Sequence, residues 1–295
     1  MKQSQPLVSV VIISYNHKGM IEECINSVIN QTYKSTELFV VDNGSLDGSI
    51  LEIENCLREH RFRFIKNEKS RLVDSLNRLK FELNGDYVCF VAADDYFHEE
   101  KIATQVNIME IDRNLGACSG RVIYVDQRGN KSKSTSANDA LLNFEDIFLK
   151  KHDFPAPVAM IRKKALDEVN WYNLAYTIED LQMWLKLSSK GWGLFYCGDI
   201  LGYYRRHVGN ISSKTDFMIE EQKRIISDYH EHELYHSAFE RIKLEHFNIL
   251  AKRDVKNALK VFISLNFEFK SIKLIIRGLI VLFTPFFILK YFGAE

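Results

Sequence analysis

Apolar runs and helical repeats alternate along the first third of the chain. Four continuous apolar runs have the length and pattern of strands buried on both faces, and they lie at residues 8–14, 38–41, 62–65 and 87–93. Segments with apolar residues at helical spacing lie between and after them, at residues 21–29, 50–58, 72–83 and 102–111. This alternation predicts an α/β fold with a mainly parallel sheet, right-handed crossovers and helices on both faces.

The rest of the chain continues with shorter and less regular segments. We predict a strand at residues 117–125, a polar loop at 126–139, short helices at 144–150 and 181–190, and strands at 193–197 and 200–205. A second polar loop at 206–214 contains His207, and from residue 216 onward the pattern is almost wholly helical. We therefore expect a first domain over residues 1–215 and a C-terminal helical region over residues 216–295.

Polar side chains follow three of the predicted strands. Ser14 to Asn16 follow the first strand, Asp42 ends the second, and the adjacent carboxylates Asp94 and Asp95 end the fourth. The carboxyl ends of parallel strands meet at one edge of the sheet, where open α/β sheets bind their ligands. Carboxylate oxygens suit Mg²⁺ or Mn²⁺, and a divalent ion in turn suits a diphosphate.

Simpler interpretations of the same residues remain open. Asp94 is suited to cap the helix that follows it, and Asp42 opens the sequence Asp-Asn-Gly-Ser, which is typical of an Asx-turn. His207 is equally compatible with a plain surface loop. The pair Glu179 and Asp180 precedes a helical segment and is compatible with a well-capped helix start.

Composition and charge narrow the function classes. The formal net charge of the 295 residues is zero, which gives no electrostatic footprint for nucleic acid. Five widely spaced cysteines without a CxxC pair indicate free buried thiols in a reducing cytoplasm. The N-terminus leads directly into a strand and has no signal-peptide pattern. The turn after the first strand lacks G-x-G-x-x-G, which argues against a dinucleotide-dependent oxidoreductase.

Several motifs in order along the chain resemble one known family. They are VSVVIISYN at 8–16, CINSVINQTY at 24–33, VVDNGSLDG at 40–48, the strand into Asp94-Asp95, IEDLQMWLKL at 178–187 and YRRH at 204–207. Together they closely resemble family 2 inverting glycosyltransferases of the GT-A fold, over about residues 6–213. The resemblance implies a Rossmann-like, mainly parallel central sheet with helices on both faces, followed here by a C-terminal helical extension.

The resemblance also implies roles for particular residues. It places the nucleotide sugar against Ser14, Tyr15, Asn16, Asp42 and Ala93, with Arg71 near the diphosphate. It implies Mg²⁺ or Mn²⁺ at Asp94, with Asp95 and His207 as further ligands. It makes Asp180 the catalytic base, beside Glu179: Asp180 would take the proton of the acceptor hydroxyl as that oxygen attacks the anomeric carbon from the face opposite the leaving group.

The chain departs from the family pattern at two positions. Ala92 stands where relatives usually have the first acid of an acid-x-acid motif, and Asn43 replaces a second acid often found after Asp42. The missing acid motivates an alternative function, a non-catalytic carbohydrate or partner-binding protein that kept the fold. The preferred expectation is metal-dependent, inverting transfer from a nucleotide sugar, with UDP as the expected nucleotide, to a glycan or lipid-linked saccharide in polysaccharide biosynthesis.

The last 26 residues, 270–295, are unusually apolar for a chain terminus. The uncharged run at 278–289 is shorter than the ~20 residues that a spanning helix needs, and it contains Pro285. Packing on the catalytic domain, a homo-oligomer contact and an in-plane membrane anchor with basic flanks are all compatible with it. We favour the anchor, and therefore a cytoplasmic enzyme attached peripherally to the inner membrane.

Overall fold

The computed structural model describes residues 5–132, 138–207 and 209–266. Within these, the chain divides into two compact units, the first formed by residues up to 147 together with 152–208, and the second by residues 148–151 together with those from 209. The apolar tail at 270–295 lies outside the described residues. No helix in the described part of the chain is long and apolar enough to cross a bilayer.

The first unit is built on one mixed sheet. Its strands are β1 (Val8–Ser14), β2 (Thr36–Asp42), β3 (Arg63–Lys66), β4 (Tyr87–Ala92), β5 (Tyr96–Phe97), β6 (Leu115–Val125), β7 (Ala140–Leu142), β8 (Met160–Arg162) and β9 (Gly193–Arg205). The strand order is β3-β2-β1-β4-β8-β6-β9-β5, with β7 also paired to β9. The β3-β2-β1-β4 half is parallel throughout, whereas β8 runs antiparallel between β4 and β6.

Helices cover the sheet and form the second unit. The first unit contains α1 (Ile21–Ile29), α2 (Ser49–Glu59), α3 (Leu72–Arg78), α4 (Lys101–Ile111), most of α5 (Phe144–Phe148), α6 (Lys163–Glu168) and α7 (Asp180–Ser189). The second unit contains α8 (Thr215–Ser227), α9 (Tyr235–Leu250) and α10 (Val255–Ser264). In that unit Phe247 of α9 packs against Phe262 of α10 with the two rings tilted by 41°, and it lies in a small apolar core with Leu250, Ala258 and Leu265.

The central strand β1 explains why the first apolar run has no polar alternation. All seven residues of β1 are buried, because β2 and β4 flank it in the sheet and side chains cover both of its faces. Alternate residues such as Val10 and Ile12 belong to a core that includes Ile25 of α1 and Ile53 of α2. A strand buried on both faces requires apolar residues at consecutive positions.

The structure differs from the predicted elements in several places. The two strands predicted at 193–197 and 200–205 are a single strand, β9, whose pairing with β6 shifts register between Gly120 and Arg121. The prediction of two strands was wrong because the polar Gly198-Asp199 step is accommodated as an irregularity within the strand. The short elements β5, β7 and α6 were not predicted, since segments of two to six residues carry little periodicity.

The buried centre of β1 gives a test of the fold. We expect Ile12→Ala to lower the free energy of unfolding by about 2–5 kcal/mol, because Ile12 is fully buried and truncation leaves a cavity. The matched control is Ile111→Ala, at a side chain that is 79% exposed, for which we expect a change within about 0.5 kcal/mol. Denaturant unfolding measures both, and equal effects of the two substitutions would contradict the described packing.

Candidate active site

Three loops at the carboxyl end of the sheet bring together two histidines and one aspartate. His17 follows β1, Asp94 follows β4, and His207 follows β9. One ligand atom from each of the three residues lies within 4.8 Å of the others. His207 Nε2 is 2.9 Å from Asp94 Oδ2, and His17 Nε2 is 3.9 Å from Asp94 Oδ1. We call these three residues the His-Asp-His group.

The donor set of this group fits a divalent cation. Carboxylate oxygens and neutral imidazole nitrogens are both common ligands of divalent metals in proteins. The side chains of His17 and His207 are only 16% and 17% exposed, so His207 is not a plain surface residue. Burial lowers the pKa of His17, which favours the neutral imidazole that a metal requires.

The main chain at His17 is held by the first turns of two helices. The His17 N–H donates to Ser49 Oγ at 2.9 Å, and the His17 carbonyl accepts from the N–H groups of Met20 and Ile21 at the start of α1. The Tyr15 N–H makes only a long contact, 3.5 Å, with Nδ1 of the ring. His17 is thus held between the first turn of α1 and the first residue of α2.

Arg205, the last residue of β9, ties the end of β4 to the loop that carries His207. Its Nε donates to the Asp94 carbonyl at 2.9 Å, its backbone N–H donates to Asp95 Oδ1 at 2.8 Å, and its guanidinium pairs with Glu23 of α1 at 2.5 Å. Asp95 is therefore engaged with the backbone of β9 and lies outside the group of three described above. Burial, together with the neighbouring Asp94, raises the pKa of Asp95 well above its usual value.

Neither acid after β4 caps the following helix. The helix α4 begins at Lys101, and Glu100 occupies its N-cap position, so the capping interpretation of Asp94 was wrong. Ala92, where the first acid of the motif was missing, is exposed at the end of β4. Ala93 is fully buried, and its N–H donates to the Ile13 carbonyl at 2.9 Å, which extends the pairing of β4 with β1.

The loop after β1 is locked to the loop after β2. Asn16 adopts a left-handed backbone conformation with φ of 58°, which Asn tolerates better than most residues. Its N–H donates to Ser45 Oγ at 2.8 Å, and its Oδ1 accepts from the Leu46 N–H at 2.9 Å. Tyr15, immediately before it, leaves 45% of its side chain exposed.

Asp42 and Ser14 lie side by side at the ends of β2 and β1. Asp42 is fully buried, and it accepts hydrogen bonds from the N–H groups of Gly44 and Ser45 and from Ser45 Oγ. The Asx-turn interpretation of Asp42 is thus confirmed, and a carboxylate with two oxygens still has room for one more donor. The Ser14 hydroxyl is buried and has no hydrogen-bond partner among the described residues.

Gly44 allows the two loops after β2 and β3 to approach each other. Its φ is +89°, and a Cβ at this position would lie 2.9 Å from the backbone nitrogen of Lys69. Only glycine combines this backbone conformation with such a close approach. Arg71, at the start of α3, forms an exposed pair with Asp74 and donates to the Leu174 carbonyl at 3.1 Å, and so joins the loop after β3 to the segment before α7.

The acid pair predicted to be catalytic opens α7. Glu179 occupies the N-cap position and makes no side-chain cap hydrogen bond among the described residues, and Asp180 is the first helical residue. Burial, followed by the charges of Glu179 and Asp180 nearby, raises the pKa of Tyr172 well above its usual value. Tyr172 packs edge-on against Phe90 of β4, with ring centres 6.0 Å apart. Phe90 and the exposed Ala92 point to the same face of β4.

The protonation of this pair is set by its surroundings. Burial, with a smaller contribution from the charge of Asp180, raises the pKa of Glu179 to about 8. Glu179 is therefore mostly neutral near pH 7, which avoids two adjacent negative charges in a poorly solvated position. Raised carboxyl pKa values of this kind cluster at functional sites.

Sequence reasoning missed three residues that shape this site: His17, Arg205 and Tyr172. His17 directly follows the SYN sequence, and Arg205 lies within YRRH, but the motifs assigned no role to either residue. No motif around Tyr172 indicated a role in the site. Its part in the site depends on packing against Phe90 of β4, which lies 82 residues earlier in the chain.

Comparison of the sequence with known protein families identifies the family of this chain. The model of the family described as "Glycosyl transferase family 2" matches residues 9–169, which include most of β1, all of β4, His17 and Asp94. The chain belongs to glycosyltransferase family 2. The predicted family is thus confirmed, as is the prediction of an enzyme of the glycosyltransferase type, acting in glycan biosynthesis.

Curated relatives of similar length carry the same kind of name. The chain is 27% identical over 230 residues to a "Putative teichuronic acid biosynthesis glycosyltransferase TuaG" of Bacillus subtilis, covering 75% of this chain and 90% of that protein. It is 25% identical over 221 residues to the Escherichia coli "UDP-Glc:alpha-D-GlcNAc-diphosphoundecaprenol beta-1,3-glucosyltransferase WfaP", covering 75% of this chain and 85% of the other.

Solved structures confirm the predicted GT-A fold. The S. aureus TarS fragment 1–349, solved in complex with UDP-GlcNAc, matches with a TM-score of 0.67 at 18% identity, over 88% of this chain and 82% of that one. The mannosyltransferase PcManGT from Pyrobaculum calidifontis, solved with GDP-Man and Mn²⁺, matches with a TM-score of 0.62 at 14% identity, over 98% of this chain and 86% of that one.

The raised pKa of Glu179 predicts how stability depends on pH. In the unfolded chain this carboxyl ionises near its ordinary value of 4.5, whereas in the folded chain it ionises near 8. Between these values the folded state holds the additional proton, so stability falls as pH rises. We expect the melting temperature of the parent, relative to Glu179→Gln, to fall between about pH 5 and 8. For the control Glu59→Gln, at an exposed side chain, we expect the melting temperature to change with pH as it does in the parent. The same result for Glu179→Gln would contradict the raised pKa of Glu179.

Proposed function

We propose that this protein is a metal-dependent, inverting glycosyltransferase that moves a sugar from a UDP-sugar to a hydroxyl of a glycan or lipid-linked saccharide. The observation that carries the proposal is the His-Asp-His group at the carboxyl end of a family 2 sheet. Open α/β sheets bind their ligands at this edge. A divalent cation and a nucleotide diphosphate are natural partners there.

The donor is proposed to lie along the loops that follow β1 and β2. The exposed ring of Tyr15 offers a surface for the base, and the remaining lone pair of Asp42 suits a pyrimidine N–H. This proposed surface is completed by the Ser14 hydroxyl, which has no hydrogen-bond partner in the described part of the chain, by the loop at Asn16 and by the backbone at Ala93. Arg71 would have to leave its pair with Asp74 to reach a diphosphate.

UDP is favoured over other nucleotides by the comparisons. TarS was solved with UDP-GlcNAc, and the name of WfaP specifies UDP-Glc. PcManGT was solved with GDP-Man and Mn²⁺, so the shared fold by itself does not fix the base. We therefore propose UDP on the basis of WfaP, which is similar to this chain in sequence and whose name specifies UDP-Glc.

Asp94 and His207 are proposed to hold Mg²⁺ or Mn²⁺. When bound, such a cation neutralises negative charge on the departing diphosphate. Asp95 is proposed to support this cation site from the position next to Asp94, although its Oδ1 accepts a hydrogen bond from the Arg205 N–H. Arg205 would hold the site by fixing the Asp94 backbone and the strand that leads to His207.

Asp180 is proposed as the base that accepts the proton of the attacking acceptor hydroxyl. Its place in the first turn of α7 gives a carboxylate favourable backbone dipoles. Holding Glu179 neutral near pH 7 removes a competing negative charge from beside it. The sugar then passes to the acceptor in one displacement, with inversion at the anomeric carbon and no covalent enzyme intermediate.

The acceptor is proposed to be a growing glycan or a saccharide on a lipid diphosphate. The names of TuaG and WfaP refer to teichuronic acid and to a diphosphoundecaprenol acceptor. A saccharide carried on a lipid is held at a membrane surface, so we retain the hypothesis of a cytoplasmic enzyme attached to the inner membrane through residues 270–295. The alternative is that the C-terminal helical region, residues 216–295, forms a homo-oligomer contact.

Asp180→Asn separates catalysis from donor binding. We expect transfer from a UDP-sugar to fall by at least about 1,000-fold, because the amide keeps the shape of the carboxylate and loses its basicity. Donor affinity, measured by calorimetry, should change less than about threefold. Asp199→Asn, on β9, serves as the matched control, for which we expect the same rate of transfer as in the parent.

Transfer by Asp180→Asn within tenfold of the parent would show that Asp180 is not the base. A parent that neither transfers nor hydrolyses any nucleotide sugar would favour a binding protein.

Asp94→Ala and Asp95→Ala test the proposed cation site. We expect Asp94→Ala to abolish the part of donor affinity that depends on Mn²⁺, because it removes the central ligand of the His-Asp-His group. Asp95→Ala should lose less, since its Oδ1 faces the Arg205 N–H. Titration of UDP with and without Mn²⁺ measures both effects. If UDP binds the parent equally well with and without the ion, the metal assignment fails.

A further inference from the structure

The geometry points to His17 as a third protein ligand of the proposed cation site, and to a site that selects a first-row transition metal such as Mn²⁺ over Mg²⁺. This inference rests on the proposed function, because it concerns the cation that the same site would hold beside the donor diphosphate. It adds a ligand that the sequence motifs do not include, and it narrows the choice between the two ions.

The distances place His17 within reach of an ion shared with Asp94 and His207. Ligand atoms about 2.1 Å from one ion lie ~3.0 Å apart at a right angle and up to ~4.2 Å apart when opposite each other. The two measured separations from the Asp94 oxygens are 2.9 Å to His207 and 3.9 Å to His17. All three ligand atoms lie within 4.8 Å of one another, so shifts of less than about an ångström complete the coordination.

Backbone hydrogen bonds hold the main chain at His17 in place. The Ser49 hydroxyl accepts the His17 N–H at 2.9 Å and itself donates to Asp47 Oδ1 at 2.6 Å. The carbonyl of His17 receives the first N–H groups of α1. These bonds fix the backbone from which the imidazole reaches toward Asp94.

The donor set explains the proposed selectivity. Mg²⁺ prefers an octahedral shell of oxygens and keeps much of its water, whereas imidazole is a better ligand for first-row transition metals. Two of the three ligands in the group are imidazoles. The neighbouring positions of the motif do not add carboxylate oxygens to the shell. Ala92 replaces the first acid, and Asp95 accepts a hydrogen bond from the Arg205 N–H. Oxygen ligands would then come from the diphosphate and water.

Direct Mn²⁺ binding tests the inference without enzymatic turnover. The full-length protein, free of nucleotide sugar, is titrated with Mn²⁺, and the electron paramagnetic resonance signal of the free ion reports the unbound fraction. We expect saturable binding at one site that survives about a 100-fold excess of Mg²⁺. His17→Ala should weaken Mn²⁺ binding at least tenfold, while the control His60→Ala, at the end of α2, binds like the parent.

A second variant and a spectroscopic signature separate ligation from simple loss of structure. His17→Asp replaces the nitrogen ligand with oxygen, so we expect it to keep the fold, to bind Mn²⁺ measurably and to let Mg²⁺ compete at least tenfold better than in the parent. Electron spin echo spectra should show nitrogen coupling from two imidazoles in the parent and from one in His17→Asp.

Each remaining outcome decides against one proposal or the other. If His17→Ala binds Mn²⁺ within threefold of the parent, if the parent binds no Mn²⁺, or if equimolar Mg²⁺ displaces it, the inference is overturned. Transfer of sugar by the parent that still depends on a divalent cation would leave the proposed function intact in those cases. Conversely, Mn²⁺ binding that depends on His17, in a protein that transfers no sugar, would uphold the metal site and refute the proposed function.

Discussion

The pairing of β1 with both β2 and β4 is the constraint on which the site depends. The two parallel registers place Ser14 beside Asp42, and Ile13 beside Ala92. Because the three strands end level with one another, the loops that follow them begin at the same edge of the sheet. His17, the Asp42 turn and Asp94 are therefore neighbours through backbone hydrogen bonding, before any side-chain contact is considered.

Arg205 extends this edge to a fourth strand that lies far away in the sheet order. By contacting the Asp94 carbonyl, the Asp95 carboxylate and Glu23 of α1, it joins the β9 end to the β4 end and to the first helix. Hydrogen bonds that involve charged groups are among the stronger ones in proteins. His207 reaches Asp94 because the strand before it is held in this way.

Much of the first half of the fold was predictable from local pattern. The four apolar runs and the intervening helical repeats correspond to β1–β4 and α1–α4, because strands buried on both faces and amphipathic helices leave distinct periodicities. The second half was harder to predict. In β9 a polar Gly-Asp step lies inside one strand, and β5 and β7 are two and three residues long, so they form only because a neighbouring strand is present to pair with them.

The sequence by itself determined the family, the α/β class and the identity of the acids at the strand ends, because these are written in contiguous motifs and in hydrophobic periodicity. Only the tertiary structure decided which of those residues meet. It brought His17 and His207 to Asp94 and turned Asp95 toward the Arg205 N–H. It also raised the pKa of Glu179 by burial. These outcomes depend on loops that are remote in sequence but fixed by the sheet and its hydrogen bonds, and no local pattern encodes such distances.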